Sequence, residues 1–186
     1  RVMNPIETRW MSPEEVEKIR QIDRSETIRS GYRVEEGQLH EIAVAWDVPP
    51  WRKGGGGRHS MEEQIQFCRE HLGRGAWMCG AFDGDRLVGI GIHTPDIHTG
   101  IDQLAYLHVS HGYRRRGIGQ EITKEIERHA LERGATRLYV SATPSASAVG
   151  FYRKFGFNPV ENPLPELFEL EPEDIHMIKP LTIEPT

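Results

Sequence analysis

One segment concentrates residues that could do chemistry: Tyr106-Leu107-His108-Val109-Ser110-His111-Gly112-Tyr113-Arg114-Arg115-Arg116-Gly117-Ile118-Gly119-Gln120. The β-rich start reads as a strand ending at Val109 or Ser110, and a helix begins inside the glycines. Glycines spaced at a helix N-terminus present free backbone N–H groups together with the positive end of the helix dipole, an arrangement suited to a pyrophosphate. Gly117 and Gly119 lack a Cβ and allow close approach. Arg114, Arg115 and Arg116 add charge and forked donors. By itself the loop is also open to two plainer readings, a charged strand-to-helix turn and a basic patch for nucleic acid. It is not a P-loop, because no Lys-Ser/Thr follows, and it does not have the GxGxxG dinucleotide spacing.

Other reactive side chains offer less. Cys68 and Cys79 sit in the apolar contexts IQFCRE and AWMCGAF, with no CxxC. They read as buried thiols of a reducing, cytoplasmic compartment. Nine histidines are present, but His93, His98, His108 and His111 lack a ligand spacing such as HExxH, so no metal is expected. No Ser or Cys has a visible base partner.

The elements that must position the loop follow from apolar spacing. Ser12, Pro13 and Glu15 start an amphipathic helix over 13–23, with Val16, Ile19 and Ile22 on one face. A strand is expected over 4–10 and a hairpin turning at Glu36-Gly37. The four glycines 54–57 predict a mobile loop. Ser60 and Glu63 cap a helix over 61–72, and a hairpin turns at Asp83-Gly84. A strand over 101–110 leads through the loop to a helix over 117–134, with the stripe Ile118, Ile122, Ile126 and Ala130. A strand, a short helix stopped by Gly156 and a last strand over 174–181 complete the chain. The order is that of a mixed α/β fold with an antiparallel meander feeding a β-loop-α-β unit.

Composition narrows the classes. The 186 residues fit one domain, 1–186. Lys and Arg total 23 against 28 Asp and Glu, a net charge of −5, which argues against a dedicated nucleic-acid binder. No apolar run reaches the length of a membrane helix.

The sequence Arg114-x-x-Gly117-x-Gly119, placed between a strand and a helix, is followed by Ser145, Ala148, Tyr152, Gly156 and Phe157 in SASAVGFYRKFGF. The two signatures in this order resemble the GNAT superfamily of N-acetyltransferases over residues 101–158. The resemblance implies the acyl-coenzyme A N-acyltransferase fold, a central mixed, mostly antiparallel sheet with flanking helices. It divides the chain into an acceptor-framing half (1–75), a half that binds acetyl-coenzyme A (76–160) and a C-terminal strand region (161–186). Acetyl-coenzyme A is the implied cosubstrate. The backbone at Leu107, His108 and Val109 is implied to pair with its pantetheine arm and polarise the thioester. The N–H groups of 115–120, within the run Arg114–Gln120, are implied to hold its pyrophosphate. Ser145 stands where many members have Asn, with Ala148 beside it. Tyr152 is implied as the acid that protonates the departing thiolate; a phenol and a thiol have ordinary pKa values of roughly 10 and 8.5. Its aromatic neighbours Phe151, Phe155 and Phe157 also allow a packing role.

The implied activity is direct transfer to a primary amine in a ternary complex. The alternative is an idle acyl-coenzyme A sensor on the same fold. Where some members carry a glutamate base, Gln103 stands here, and an amide is no base. Asp102, His93, His98, His108, His111 and a relay of waters remain open. Trp46, Asp47 and Trp51 are expected to wall in an aliphatic or cationic amine, a small molecule with a protein amine as the alternative, unless Trp46 is core and Trp51 a loop anchor. The final strand can serve a homodimer.

Overall fold

Two strands with nearly continuous apolar sequence, rather than strict alternation, require cover on both faces. These are β4 (Trp77–Asp83) and β5 (Arg86–His98), and both lie inside the sheet with a strand on either side. The computed structural model of the protein describes residues 4–182. The remaining elements are β1 (Glu7–Met11), a 3-10 helix (Pro13–Gln21), β2 (Glu26–Glu35), β3 (Gln38–Val48), α1 (Met61–Gly73), β6 (Ile101–Val109), α2 (Ile118–Glu132), β7 (Arg137–Ala142), α3 (Ala146–Lys154), β8 (Asn158–Pro159), α4 (Pro165–Leu170) and β9 (Ile175–Pro180). Seven strands run in the order β1-β4-β5-β6-β7-β9-β8, and β2-β3 form a separate hairpin. Among the described strands of this sheet only β6 and β7 pair in parallel. The expected mixed α/β class, with a mostly antiparallel sheet and flanking helices, is the one observed.

Each face of the sheet has its own apolar layer. Ile118, Ile122, Ile126 and Ala130 of α2 and Val149 of α3 pack with Val88, Leu104, Leu138, Val140 and Met177. On the other face Val16, Ile19, Ile65 and Cys68 pack with Met78, Leu87, Ile90, Ile92 and Tyr106. Helix α2 approaches β5 closely: a Cβ on Gly89 would lie 2.7 Å from Ile118, and one on Gly91 2.5 Å from Ile122. These two glycines set the height of α2, and hence of the loop at its start.

Three elements differ from expectation. Residues 13–21 form a 3-10 helix rather than an α-helix. Its buried residues Val16, Ile19 and then Ile22 recur every three positions, which matches three residues per turn and gives no i+4 partner. Strand β8, two residues long, and α4, with no buried residue, are too short or too exposed to leave a periodic signal. The turn between β2 and β3 falls where expected, with Glu36 and Gly37 both at positive φ (49° and 76°), as a two-residue hairpin requires.

Candidate functional site

The site begins with a register shift. Ile92 of β5 faces Tyr106, but the next residue, His93, faces Leu104, so Ala105 is an extra residue in β6. Such a bulge bends its strand and increases the local twist. Strand β7 pairs with β6 only at Ile101–Gln103, through Arg137–Tyr139, and beyond this point the two part. Strand β7 keeps β9 on its far side along its whole length, and β6 keeps β5. A wedge therefore opens between β6 and β7; because Ser110 N–H donates to Val88 O at 2.8 Å, alternation turns the backbone of His108 to β5 and that of Leu107 and Val109 into the wedge, where Val109 O accepts from Arg114. Leu107 and Val109 pack toward the α2–α3 layer. Tyr106 turns to the opposite face, where its ring and that of His108 lie 4.5 Å apart.

At the end of β6 the chain enters the glycine loop. Gly112, Arg115 and Gly117 adopt positive φ (91°, 62° and 78°), so left-handed residues recur along it. Successive N–H groups in such a conformation form an anion-binding concavity. Gly117 is the N-cap of α2, and Glu121 is the first to bond back to it, at 3.0 Å. The N–H groups of Ile118, Gly119 and Gln120 therefore have no acceptor within the helix. Arg115, Arg116 and Gln120 are exposed, and Ile118 is buried as the first rung of the α2 stripe. A cleft of ≈ 400 Å³ opens beside the loop, lined by Ile6, Thr8, Arg116, Gly117, Ile118 and Glu121.

Arg114 differs from its two neighbours. Its guanidinium turns inward and donates to three carbonyls: Val109 at 3.2 Å, Ser25 at 2.9 Å and Arg24 at 3.0 Å. This fixes the start of β2 against the end of β6. Further along, Tyr32 N–H donates to Pro144 O at 2.9 Å, and a Cβ on Gly31 would lie 2.6 Å from that oxygen. Strand β2 is thus strung from the end of β6 to the turn after β7, across the mouth of the wedge.

Helix α3 supplies the remaining residues. Ser145 is its N-cap, and the hydroxyl accepts from Ala148 N–H at 3.1 Å. Tyr152 is buried, at 8% exposure, among Val140, Ala142, Val149 and Phe157. Its hydroxyl makes no hydrogen bond to a described residue. Burial, and secondarily Asp174, push its pKa well above the usual phenol value. A Cβ on Gly119 would lie 3.6 Å from both Phe151 and Val109. The loop, the end of β6 and the helix carrying Tyr152 therefore meet at one point.

On the opposite face, Trp51 lies 4.9 Å from the His108 ring, and Tyr106 donates to Gln64 Oε1 at 3.2 Å. Arg24 lies over the Trp51 ring at 5.2 Å. Burial first, then Arg24 and Arg114, push His108 down to about 3. Trp51 is core, whereas Trp46 is exposed on the hairpin and Asp47 pairs with Arg29 at 3.4 Å. The three do not form the expected wall. His93 is buried and points away from this face, bonded to Asp102 at 2.6 Å and to His129 at 2.8 Å. Arg24 and Gln64 escaped sequence reading because nothing local marks them. The Tyr106–His108 pair was visible as an alternation of ring residues on one strand face.

A parallel pair of strands parted by a bulge, followed by a glycine anion loop, defines an acyl-coenzyme A acyltransferase fold. The family model described as the Acetyltransferase (GNAT) family matches residues 40–157, more than half of the chain. The chain belongs to this family. Among solved structures it is similar to nourseothricin acetyltransferase, with 19% identity, coverage of 96% of this chain and 100% of the other, and a TM-score of 0.70. It is also similar to the PaiA N-acetyltransferase of Thermoplasma acidophilum in complex with coenzyme A, with 18% identity, coverage of 95% and 99%, and a TM-score of 0.62. A Bacillus anthracis protein described as a streptothricin acetyltransferase, in complex with acetyl coenzyme A, has 12% identity, coverage of 97% and 100%, and a TM-score of 0.70. Comparison with curated protein sequences gives no match.

Proposed function

We propose that the protein transfers the acetyl group of acetyl-coenzyme A to a primary amine by direct attack in a ternary complex. The observation that carries this reading is the juxtaposition of the β6–β7 wedge, with its unpaired backbone wall, and the left-handed loop at the start of α2. Complexes of related folds with coenzyme A and acetyl coenzyme A support the same donor. Of the expected residues Leu107, His108 and Val109, the wall offers the amide groups of Leu107 and the N–H of Val109 to the peptide-like pantetheine arm, while the backbone of His108 is turned to β5. An N–H there would hold the thioester oxygen as negative charge develops on it. The N–H groups of 115–120 receive the pyrophosphate, with Arg115 and Arg116 supplying charge from the exposed side. Arg114 acts through the backbone instead, by fixing the loop to β2. Ser145 stabilises the start of α3 and so orients Tyr152.

Tyr152 donates its proton to the leaving thiolate. Burial raises its pKa, so it is protonated in the resting protein and holds the proton that it gives. Direct attack, rather than an acyl-enzyme, accords with the two thiols: burial pushes Cys68 and Cys79 up to about 12, and neither is a nucleophile at neutral pH. Two buried free thiols also accord with a cytoplasmic setting. His108, held near 3, is a weak base, so solvent in the cleft takes the amine proton.

The test is calorimetric binding of coenzyme A, followed by release of free thiol from acetyl-coenzyme A across a panel of primary amines. Amine-dependent release with a saturable acceptor is expected. Tight binding with no release for any amine would leave the chain an acyl-coenzyme A sensor, and no binding would remove the reading altogether.

A further inference from the structure

The face of β6 that carries Tyr106 and His108 is bordered by positive charge that the protein does not neutralise. The segment from Val48 to Met61 contains Arg52, Lys53 and Arg58 and no carboxylate, in a chain whose net charge is −5. Its glycine run is folded rather than splayed. Arg52 N–H donates to His59 O at 3.0 Å, Met61 N–H to Arg52 O at 2.9 Å, and Arg52 Nη2 to Arg58 O at 2.7 Å. Arg24 lies at the base of this loop, with Nε on Pro49 O at 3.0 Å and Nη1 3.4 Å from His59 Nδ1. Among the described residues, none of Arg24, Arg52, Lys53 and Arg58 forms an ion pair. The neighbouring carboxylates are engaged elsewhere. Asp23 holds Ser25 N–H at 2.9 Å, Asp47 pairs with Arg29, Glu62 with Arg20 at 2.9 Å, and Glu63 holds His59 N–H at 3.0 Å.

Two histidines register the resulting field. Arg24 contributes to lowering both His108 and His59, with burial as the larger cause in each. The loop reaches the His108 face of β6 through one contact chain: His59 to Arg24, Arg24 over Trp51, and Trp51 edge-on to His108. Trp51 is 3% exposed, and its indole N–H has no partner. Donors and positive charge therefore dominate this side of the wedge.

We infer that the acceptor amine carries an anionic group, a carboxylate or a phosphate, which Arg24 and the loop 52–59 receive while the amine faces the wedge. This names the acceptor class and rests on the acetyltransferase reading above. A forked guanidinium suits either anion, and its bonds to a charged oxygen are about twice as strong as neutral ones. A site built to bond such a group discriminates against analogues that lack it.

The experiment compares matched acceptors with the full chain and acetyl-coenzyme A, by thiol release and by calorimetry in the presence of coenzyme A. The probes are γ-aminobutyrate and its carboxamide, O-phosphoethanolamine and ethanolamine, and putrescine. An anionic member is expected to exceed its neutral partner in kcat/KM by about 10–100-fold, and the gap should shrink as salt is raised. The carboxylate and phosphate pairs identify which anion is read. Arg24→Gln should raise KM for the anionic acceptor by about 10-fold with little change in kcat, and Arg24→Lys should recover part of it. Lys53→Gln with Arg58→Gln, on the exposed loop, should give a smaller change in the same direction and does not depend on the fold tolerating a change at Arg24. Coenzyme A affinity should hold in all of them. Equal or greater activity with ethanolamine or putrescine overturns the inference while leaving the acetyltransferase reading intact. So does a protein that binds coenzyme A but neither binds nor acetylates any anionic probe. Failure to bind coenzyme A at all removes the underlying reading instead.

Discussion

Arg114 donates from its guanidinium to the carbonyl of Ser25 at 2.9 Å, across 89 positions of sequence. With the bonds to Arg24 O and Val109 O, this joins the glycine loop, the end of β6 and the start of β2. Replacing Arg114 by Ala leaves three carbonyls without their donor. Stability should fall by about 1–3 kcal/mol, the usual penalty for hydrogen bonds to a charged group. Arg115→Ala and Arg116→Ala should leave stability unchanged and weaken coenzyme A binding, more so at low salt. Thermal unfolding and calorimetry of the three variants separate the roles. Equal effects of all three on both measures would contradict the division.

The two loop glycines should respond differently. Gly117 has φ 78°, with open space around its position. Gly117→Ala therefore strains the backbone by about 1–2 kcal/mol without a steric clash. It should disturb the N–H array and lower coenzyme A affinity with little change in the core. Gly119 is not at positive φ, and a Cβ there would lie at ordinary contact distance, 3.6 Å, from Phe151 and Val109. Gly119→Ala should be tolerated, and Gly119→Leu should block the cradle. Coenzyme A binding that is unaffected in both Gly117→Ala and Gly119→Leu would remove the loop from the donor site.

Tyr152→Phe keeps the ring in its contacts with Phe151 and Phe157, at 5.4 Å each. Only the hydroxyl, which bonds to no described residue, is lost. Single-turnover acetyl transfer should slow by about 10²–10⁴-fold, the usual span for a positioned acid, at nearly constant coenzyme A affinity. A variant with full single-turnover activity would assign the proton to water.

Acid should destabilise the protein in a defined window. Burial pushes His71 down to about 4 and also lowers His93 from the ordinary value of 6.5. Both are neutral when folded and become charged once unfolded below that value, so the unfolded state binds more protons. Their contribution is fully present above pH 6.5 and is lost as pH falls toward the folded values. Between pH 6 and 4 stability should drop by up to about 1.4 kcal/mol per pH unit for each proton taken up. Calorimetric unfolding from pH 7.5 to 4.5 measures this, and His71→Asn should flatten the slope. A midpoint independent of pH across that range would show that these histidines protonate without unfolding.

The sequence by itself determined the local pieces. Ser60 and Ser145 mark helix starts and bond back to the third following N–H in each case, as their type and position require. Glu36-Gly37 and Asp83-Gly84 mark turns. The glycines at 117 and 119 mark where α2 begins and why an anion is suited there. All of these depend on neighbours within a few residues. The tertiary structure alone decided how the pieces make a site. The extra residue Ala105 exists only relative to β5, because a bulge is a mismatch between two strands and leaves no mark in either one. The parting of β6 from β7, which opens the wedge, begins beside that mismatch, after Gln103. The inward turn of Arg114 was equally hidden, because its three acceptor carbonyls lie five, 89 and 90 positions away. A backbone carbonyl carries no residue identity, so sequence could place three arginines in the loop but not say which one would face inward.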